Sequence, residues 1–295
     1  KRVNVDRLEH GPRGIVGRHE PDFLKAFDTW FRGIELVSGP DGRVWIADWT
    51  DKGECHDHDG VHRTSGRIYT VLYGELRPRK PVDLHRLADD DLVALQLHHN
   101  DWFCRQARRL LADRAAEGRD LAAAAAKLRA MAETHADPTR RLRGLWGAHA
   151  VNAADAVWLR GRFADPHPSV RAWGVRLLVD QAADDPAVGD SLRSLVESDP
   201  AGLVRLHVAG ALSRLPRGSR WPLAEVLAAR AEDVDWTSLA LLIWYGLREG
   251  VADDPARGAA LAAATPLPAL RRAIARRLAF DADRSSAMAG ALDRK

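Results

Sequence analysis

Two segments in the second half of the chain repeat each other at a fixed distance of 34 residues. The copies are DPHPSVRAWGVRLLVD (165–180) and DPAGLVRLHVAGALSR (199–214). In this alignment Asp165 matches Asp199 and Arg171 matches Arg205. A repeat of this length, rich in Ala and Leu, is typical of helix pairs that bury their apolar faces only against neighbouring pairs. The sequence therefore predicts an α-helical solenoid.

The turn Asp-Pro-x-x-x-Val-Arg at the start of each copy resembles the turn of HEAT-type repeats. We expect the Asp to cap the incoming helix, the Pro to fit its first turn and the Val to enter the core. The Arg is expected to pair with an Asp of a neighbouring repeat. Looser copies occur at 100–114 and 139–151, and further helix pairs are expected at 221–249 and 254–280.

Residues 1–80 have a different pattern, which favours β structure. The segment IELVSGPDGRVWIADW (34–49) predicts a hairpin around Gly-Pro-Asp-Gly at 39–42, and GRIYTVLYG (66–74) predicts a further strand. The Gly- and Pro-containing stretch before them is expected to form loops between short strands. The predicted fold class is therefore α+β and multidomain: a small β region at 1–80, an all-α HEAT-type solenoid at 84–285 and a flexible tail at 286–295.

Charge and hydropathy exclude two classes of partner. The 44 basic and 41 acidic residues leave a net charge of only +3 with neutral histidines, which argues against a dedicated nucleic-acid surface. Apolar runs fall far short of the roughly 20 residues of a membrane span. The chain starts at Lys1 without a targeting signal, and we interpret it as a mature or truncated product.

The segment DWTDKGECHDHDGVHRTSGRIY (48–69) concentrates the chemically versatile side chains. One interpretation is a metal site. The carboxylates that could give oxygen ligands to calcium are Asp51, Glu54, Asp57 and Asp59, although their spacing does not fit an EF-hand. The side chains that could bind zinc instead are Cys55, His56, His58 and His62.

Catalysis and simple loop structure are the other two interpretations of this segment. In the catalytic one, His56, His58 or His62 acts as a general base, and Arg63 and Arg67 hold an anionic group. In the structural one, the carboxylates cap turns and pair with the same two arginines. Residue types and spacing leave all three interpretations open.

Three stretches together resemble a known family. They are Asp-Trp-x-Asp-x-Gly-Glu-Cys-His-Asp (48–57), His-Arg-Thr-Ser-Gly-Arg-Ile-Tyr (62–69) and LVALQLHHNDWFCRQARRLL (92–111). They look like the multidomain "membrane-bound dehydrogenase" proteins of planctomycete-type bacteria. That family joins a β-propeller, similar to the quinoprotein sugar dehydrogenases, to HEAT repeats and a c-type cytochrome domain. The resemblance implies that residues 1–80 are the last blade of a propeller.

The resemblance also implies a function and a cellular location. The implied activity is oxidation of a sugar or alcohol with transfer of electrons to a cytochrome, in the periplasm or another extracytoplasmic location, with a quinone as a cofactor of the complete protein. Calcium is the further candidate cofactor, with the carboxylates of the segment 48–69 as its ligands. The missing propeller blades and the cytochrome domain would be its partners. The haem-attachment motif Cys-x-x-Cys-His is absent from this chain. The alternative is a non-catalytic scaffold whose solenoid recognises a protein or polysaccharide.

Overall fold

The computed structural model describes residues 1–11, 14–50, 64–75 and 82–292. The chain begins with a long antiparallel hairpin of strands β1 (Arg2–Gly11) and β2 (Gly14–Lys25). The expectation of loops between short strands was therefore wrong for this region. The glycines and prolines of this segment favour loops in a sequence-based interpretation. In the structure, ion pairs between the two strands stabilise the hairpin.

Ion pairs across the hairpin explain why this polar segment is extended. The Arg7 Nε–Glu20 Oε1 distance is 2.9 Å and the Arg18 Nε–Glu9 Oε2 distance is 3.1 Å. Opposite charges on facing strands stabilise their pairing. Pro21 lies where the register shifts between Val3 and Val5, and such an irregularity tolerates a residue without a backbone N–H.

A three-stranded antiparallel sheet follows, in the order β3–β4–β5. Its strands are β3 (Gly33–Ser38), β4 (Val44–Asp48) and β5 (Arg67–Val71). The predicted hairpin and the predicted third strand are both confirmed. Gly42 has a φ of 75°, so the turn between β3 and β4 uses a backbone conformation that glycine adopts without strain.

The apolar core of the β region is small. Val3, Phe31 and Ile46 are buried together, and Leu24 and Val71 pack against them. Many other apolar side chains of the strands are exposed, including Ile34, Leu36, Ile68, Leu8 and Ile15. Within the described residues the outer edges of β3 and β5 have no partner strand.

The described residues after position 82 form twelve α-helices and several short 3-10 turns. The helices are α1 (Asp89–Ala94), α2 (Asp101–Ala116), α3 (Ala122–Thr134), α4 (Pro138–Ala150), α5 (Ala156–Gly161), α6 (Pro168–Ala182), α7 (Pro186–Ser198), α8 (Gly202–Ala211), α9 (Arg217–Ala228), α10 (Thr237–Asp253), α11 (Pro255–Ala264) and α12 (Pro268–Leu292). The α+β class is confirmed. α12 continues into the range for which the sequence predicts a flexible tail.

The chain divides into two compact units. One comprises 1–132 and 143–152, and the other comprises 133–142 and 153–295. In the second unit α6 contacts α8, α8 contacts α10 and α10 contacts α12, while α7 contacts α9. The domain boundary that the sequence predicts near residue 80 stays a prediction.

Packing in the second unit follows the repeat. Val170 and Val204, which occupy the same position in the two copies, are fully buried, and so are Leu178 and Leu212. Each such side chain contributes about 1.5–3 kcal/mol through removal of its apolar surface from water. Gly246 lets α10 approach Leu212 closely, because a Cβ at this position would overlap the leucine side chain.

Candidate functional site

The described part of the chain includes the flanks of the chemically versatile segment. Asp51, Glu54, Cys55, His56, Asp57, His58, Asp59, His62 and Arg63 lie outside the described residues. Arg67 lies within them, at the start of β5, and Asp48 pairs with it across the sheet at the end of β4. Metal binding and catalysis by the other residues stay predictions.

Asp48 is the centre of a buried polar cluster. Its side chain is 0% exposed. Its Oδ1 accepts hydrogen bonds from the backbone N–H of Arg32 (2.6 Å) and of Thr50 (3.0 Å). Its Oδ2 accepts from the Thr50 hydroxyl (3.1 Å) and from Arg67 Nε (2.8 Å). A buried carboxylate is stable when its lone pairs are used in this way.

Arg67 joins this cluster to a second carboxylate. Its Nη2 lies 2.7 Å from Asp48 Oδ2 and 2.8 Å from Asp28 Oδ2. Its guanidinium carbon lies 5.3 Å from the centre of the Tyr69 ring. The positive charge that the sequence offered as an anion holder therefore faces two carboxylates of the same unit, as the structural interpretation of the segment expects of its arginines.

The pKa values of the cluster reflect these contacts. Burial would raise the pKa of Asp48, but hydrogen bonds from Arg32, Thr50 and Arg67 outweigh it and hold the pKa below its ordinary value. The pKa of Asp28 is also lowered, by the backbone N–H of Trp30 and by Arg67. The pKa of Arg67 is raised, first by its hydrogen bond to Asp28. All three groups are charged at neutral pH.

The cluster also fixes a strained backbone. Thr50 has a φ of 52°, which is rare for a β-branched residue and costs on the order of 1–3 kcal/mol. Its N–H and hydroxyl both bond to Asp48, and its carbonyl oxygen accepts from Ser65 Oγ at 3.5 Å. The two flanks of residues 51–63 are thus held next to each other.

The second unit contains a series of arginine–aspartate pairs that link successive repeats. Arg171 Nε and Nη2 lie 2.6 and 2.8 Å from the two oxygens of Asp199, and Arg205 meets Asp233 in the same way at 2.7 Å for both contacts. Arg141 Nη2 donates to Asp165 at 3.1 Å. The predicted pairing of Arg with a neighbouring repeat's Asp is confirmed for Arg171.

Each of these arginines also braces its own turn. Arg171 Nη1 donates to the carbonyl oxygens of Asp165 (2.8 Å) and Pro166 (3.2 Å). The predicted helix-capping role of Asp165 was wrong by two residues. Asp165 accepts from the N–H of His167, and His167 is the residue that caps α6. The reason is that the helix starts at the second proline, Pro168.

One further copy of the turn lacks the acidic residue that marks the others. Thr265-Pro-Leu-Pro-Ala-Leu-Arg271 has the same spacing, and Arg271 Nη2 donates to the Thr265 carbonyl at 2.6 Å. The Thr265 hydroxyl is buried, donates to the carbonyl of Ala228 and accepts from the N–H of Leu267. The two prolines and the arginine were the signal that could have revealed this copy.

The surface of α6, α8 and α10 that faces away from the core carries aromatic and basic side chains. We call it the exposed face and define it by Trp173, Arg176, Asp180, His207, Gly210, Arg214, Leu241, Trp244, Tyr245 and Arg248. Residues 173, 207 and 241 are equivalent in the 34-residue repeat, as are 180, 214 and 248. Tyr245 is 54% exposed and Leu241 is 38% exposed.

A groove of about 360 Å³ lies on this face between α6 and α8. Its lining residues are Arg176, Val179, Asp180, Leu206, His207, Gly210, Ala211 and Arg214. The Arg176 guanidinium carbon lies 4.9 Å from the centre of the Trp173 ring. Arg214 forms an ion pair with Asp180 across the groove. The groove thus combines apolar walls with two arginines and one carboxylate.

The imidazole of His207 also lines the groove. Burial lowers its pKa below the ordinary value, and the positive charge of Arg176 lowers it further. The imidazole is therefore neutral at pH 7 and has one ring N–H to donate. Arg176 and His207 together offer donors to an acceptor in the groove.

Comparisons with models of protein families, with curated proteins and with solved structures found no match. Among the described residues there is no group of three or more His, Cys, Asp or Glu side chains placed to hold a metal ion. No helix in the described ranges is both long and apolar enough to cross a membrane.

Proposed function

We propose that the protein is a non-catalytic binding scaffold whose stacked helix pairs, of the HEAT type, hold a partner protein on the exposed face. The observation that carries this proposal is the group of aromatic and arginine side chains on the exposed face, together with the exposed Leu241 and Tyr245. Trp, Tyr and Arg are the side chains that contribute most to binding energy in protein interfaces.

The division of roles between the two surfaces of each helix supports this proposal. Arg141, Arg171 and Arg205 of the repeat turns have side chains that are at most 11% exposed and pair with aspartates, so their role is to join repeats. Arg176 makes no ion pair with a carboxylate of the described residues, and Leu241 and Tyr245 leave apolar surface in water. An exposed apolar and basic surface on a rigid helical framework fits a binding role.

The test is selection of peptides from a displayed random library. Wild-type protein is compared with the double variant Leu241→Ser/Tyr245→Ser. The matched control is Val157→Ser/Val234→Ser, which removes two exposed apolar side chains elsewhere in the same unit. We expect a defined set of peptides to bind wild type and control equally, and the double variant at least tenfold more weakly. Absence of selection, or equal binding by all three proteins, contradicts the proposal.

The dehydrogenase function implied by the family resemblance stays a prediction. Its calcium ligands and candidate bases lie outside the described residues, and quinone, cytochrome domain and periplasmic location are likewise untested. That the helical region consists of HEAT repeats and that the β region is part of a propeller are proposals as well. A three-stranded antiparallel sheet with open edges is compatible with part of a propeller blade.

A further inference from the structure

The groove between α6 and α8 has a surplus of positive charge and unused donors. Arg214 is matched by Asp180, whereas Arg176 has the Trp173 ring as its described partner. His207 lies beside Arg176 and has no hydrogen bond within the described residues. Two arginines against one aspartate leave one positive charge, which a single anionic group would balance.

The walls of the groove define the rest of the ligand. Leu206 contributes apolar surface to the groove, which the nearly buried Val179 and Ala211 also line. Gly210 is exposed, and a Cβ built on it meets no other atom within 4 Å, so the groove opens to solvent at this residue. A group that enters here needs a short apolar stem with an anionic end. Carboxylates are bound by arginine through charge-assisted hydrogen bonds.

We propose that this groove binds the carboxylate side chain of a glutamate or aspartate in an acidic segment of a partner protein. The inference rests on the proposed function and deepens it. The carboxylate accepts from Arg176 and from the ring N–H of His207, while its stem lies against Leu206 and Val179. Neighbouring residues of the segment extend across α8 towards Leu241 and Tyr245 of α10, which belong to the same exposed face.

The experiment fills the groove without disturbing the helix. Gly210→Leu places a side chain in the open space, and leucine favours helix more than glycine does, so the variant is expected to fold. The matched control is Gly218→Leu in α9, where an added Cβ also meets nothing within 4 Å. A third variant, Arg176→Gln, removes the charge and leaves the groove open.

The probe is a fluorescent octaglutamate peptide, titrated by fluorescence anisotropy at low salt. We expect Gly210→Leu and Arg176→Gln to weaken binding at least tenfold and Gly218→Leu to change it less than twofold. In wild type the His207 ring resonances shift when the peptide is added, and in Gly210→Leu they do not. Unchanged affinity in Gly210→Leu overturns the proposal, and so does equal binding of an octalysine peptide.

Two further outcomes distinguish the groove proposal from the scaffold proposal and from binding of a small dicarboxylate. If library-selected peptides depend on Leu241 and Tyr245 but bind Gly210→Leu as tightly as wild type, the scaffold stands and the groove proposal falls. If free glutarate binds as tightly as octaglutamate, the ligand is a small dicarboxylate and the commitment to a protein segment is wrong.

Discussion

Arg205 and Asp233 form an ion pair with two parallel contacts, in which both side chains are only 4% exposed. The hydrogen bond to Asp233 is the largest of the contributions that raise the pKa of Arg205 above its ordinary value. The pair joins α8 to the turn before α10. Breaking a buried pair by removal of one partner leaves the other charge buried without compensation.

The first prediction concerns this pair. Arg205→Ala leaves Asp233 buried and lowers the free energy of unfolding by about 3–5 kcal/mol, measured by urea denaturation. The control is Arg193→Ala, which removes a pair whose side chains are about half exposed and costs less than about 1 kcal/mol. Equal effects of the two variants would show that the series of pairs does not stabilise the helix stack.

The second prediction concerns Asp48. Asp48→Asn removes the charge that holds Arg32, Thr50 and Arg67, so we expect a loss of about 3 kcal/mol in the free energy of unfolding. Because the folded-state pKa is lowered, the stabilisation is present above the unfolded value of about 3.9 and is lost as pH falls towards the folded value.

Acid titration checks that sign. Wild type loses stability below about pH 4, and Asp48→Asn loses less over the same range because the linked group is gone. Asp90→Asn is the control, since Asp90 is 60% exposed and pairs with an exposed lysine. A variant with wild-type stability and an unchanged acid limb would contradict the role assigned to Asp48.

The third prediction concerns Phe27, whose φ is 48° and whose side chain is 94% exposed. The left-handed backbone costs a non-glycine residue about 1–2 kcal/mol, and the exposed ring contributes little burial in return. Phe27→Gly is therefore expected to stabilise the protein by about 0.5–1 kcal/mol, after allowance for the greater freedom of glycine in the unfolded chain.

Phe23→Gly is the matched comparison for Phe27. Phe23 lies in β2 with an exposed ring, and glycine weakens a strand, so this variant is expected to lower stability. The measurement is the Tm of both variants relative to wild type, from thermal unfolding. Destabilisation by Phe27→Gly as large as that by Phe23→Gly would mean that the backbone of residue 27 carries no strain.

The fourth prediction concerns pH and His207. Its neighbours with charge are Arg176 and Asp180 from α6 and Arg214 from the end of the groove. Because the folded-state pKa is lowered, the unfolded chain takes up the proton more readily, and stability falls as pH drops below the unfolded value of about 6.5. We expect His207→Gln to reduce the drop in Tm between pH 7.5 and pH 5.5. An unchanged drop in Tm would mean that a titratable group other than His207 causes it.

The sequence predicted the parts of the fold that depend on local pattern. The 34-residue repeat indicated the helix pairs and the Arg171–Asp199 pair, and the Gly-Pro-Asp-Gly turn indicated the β3–β4 hairpin. These features follow from periodicity, turn chemistry and the spacing of opposite charges.

Other features depend on relations that the sequence does not display. The N-terminal hairpin is stabilised by pairs such as Arg7 and Glu20, which only the register brings together. The copy of the turn at Thr265 was missed because a hydroxyl performs the role of the carboxylate. The groove around His207 arises where residues from two repeats meet, so no single stretch of sequence contains it.

The most direct test of the scaffold proposal is a photo-crosslinking map of a library-selected acidic peptide. The photoreactive residue p-benzoylphenylalanine replaces Tyr245 on the exposed face in one sample and Arg193, an exposed residue of α7, in another. We expect a strong crosslink from position 245 and only background from position 193. A crosslink from position 193 with none from position 245 would contradict it.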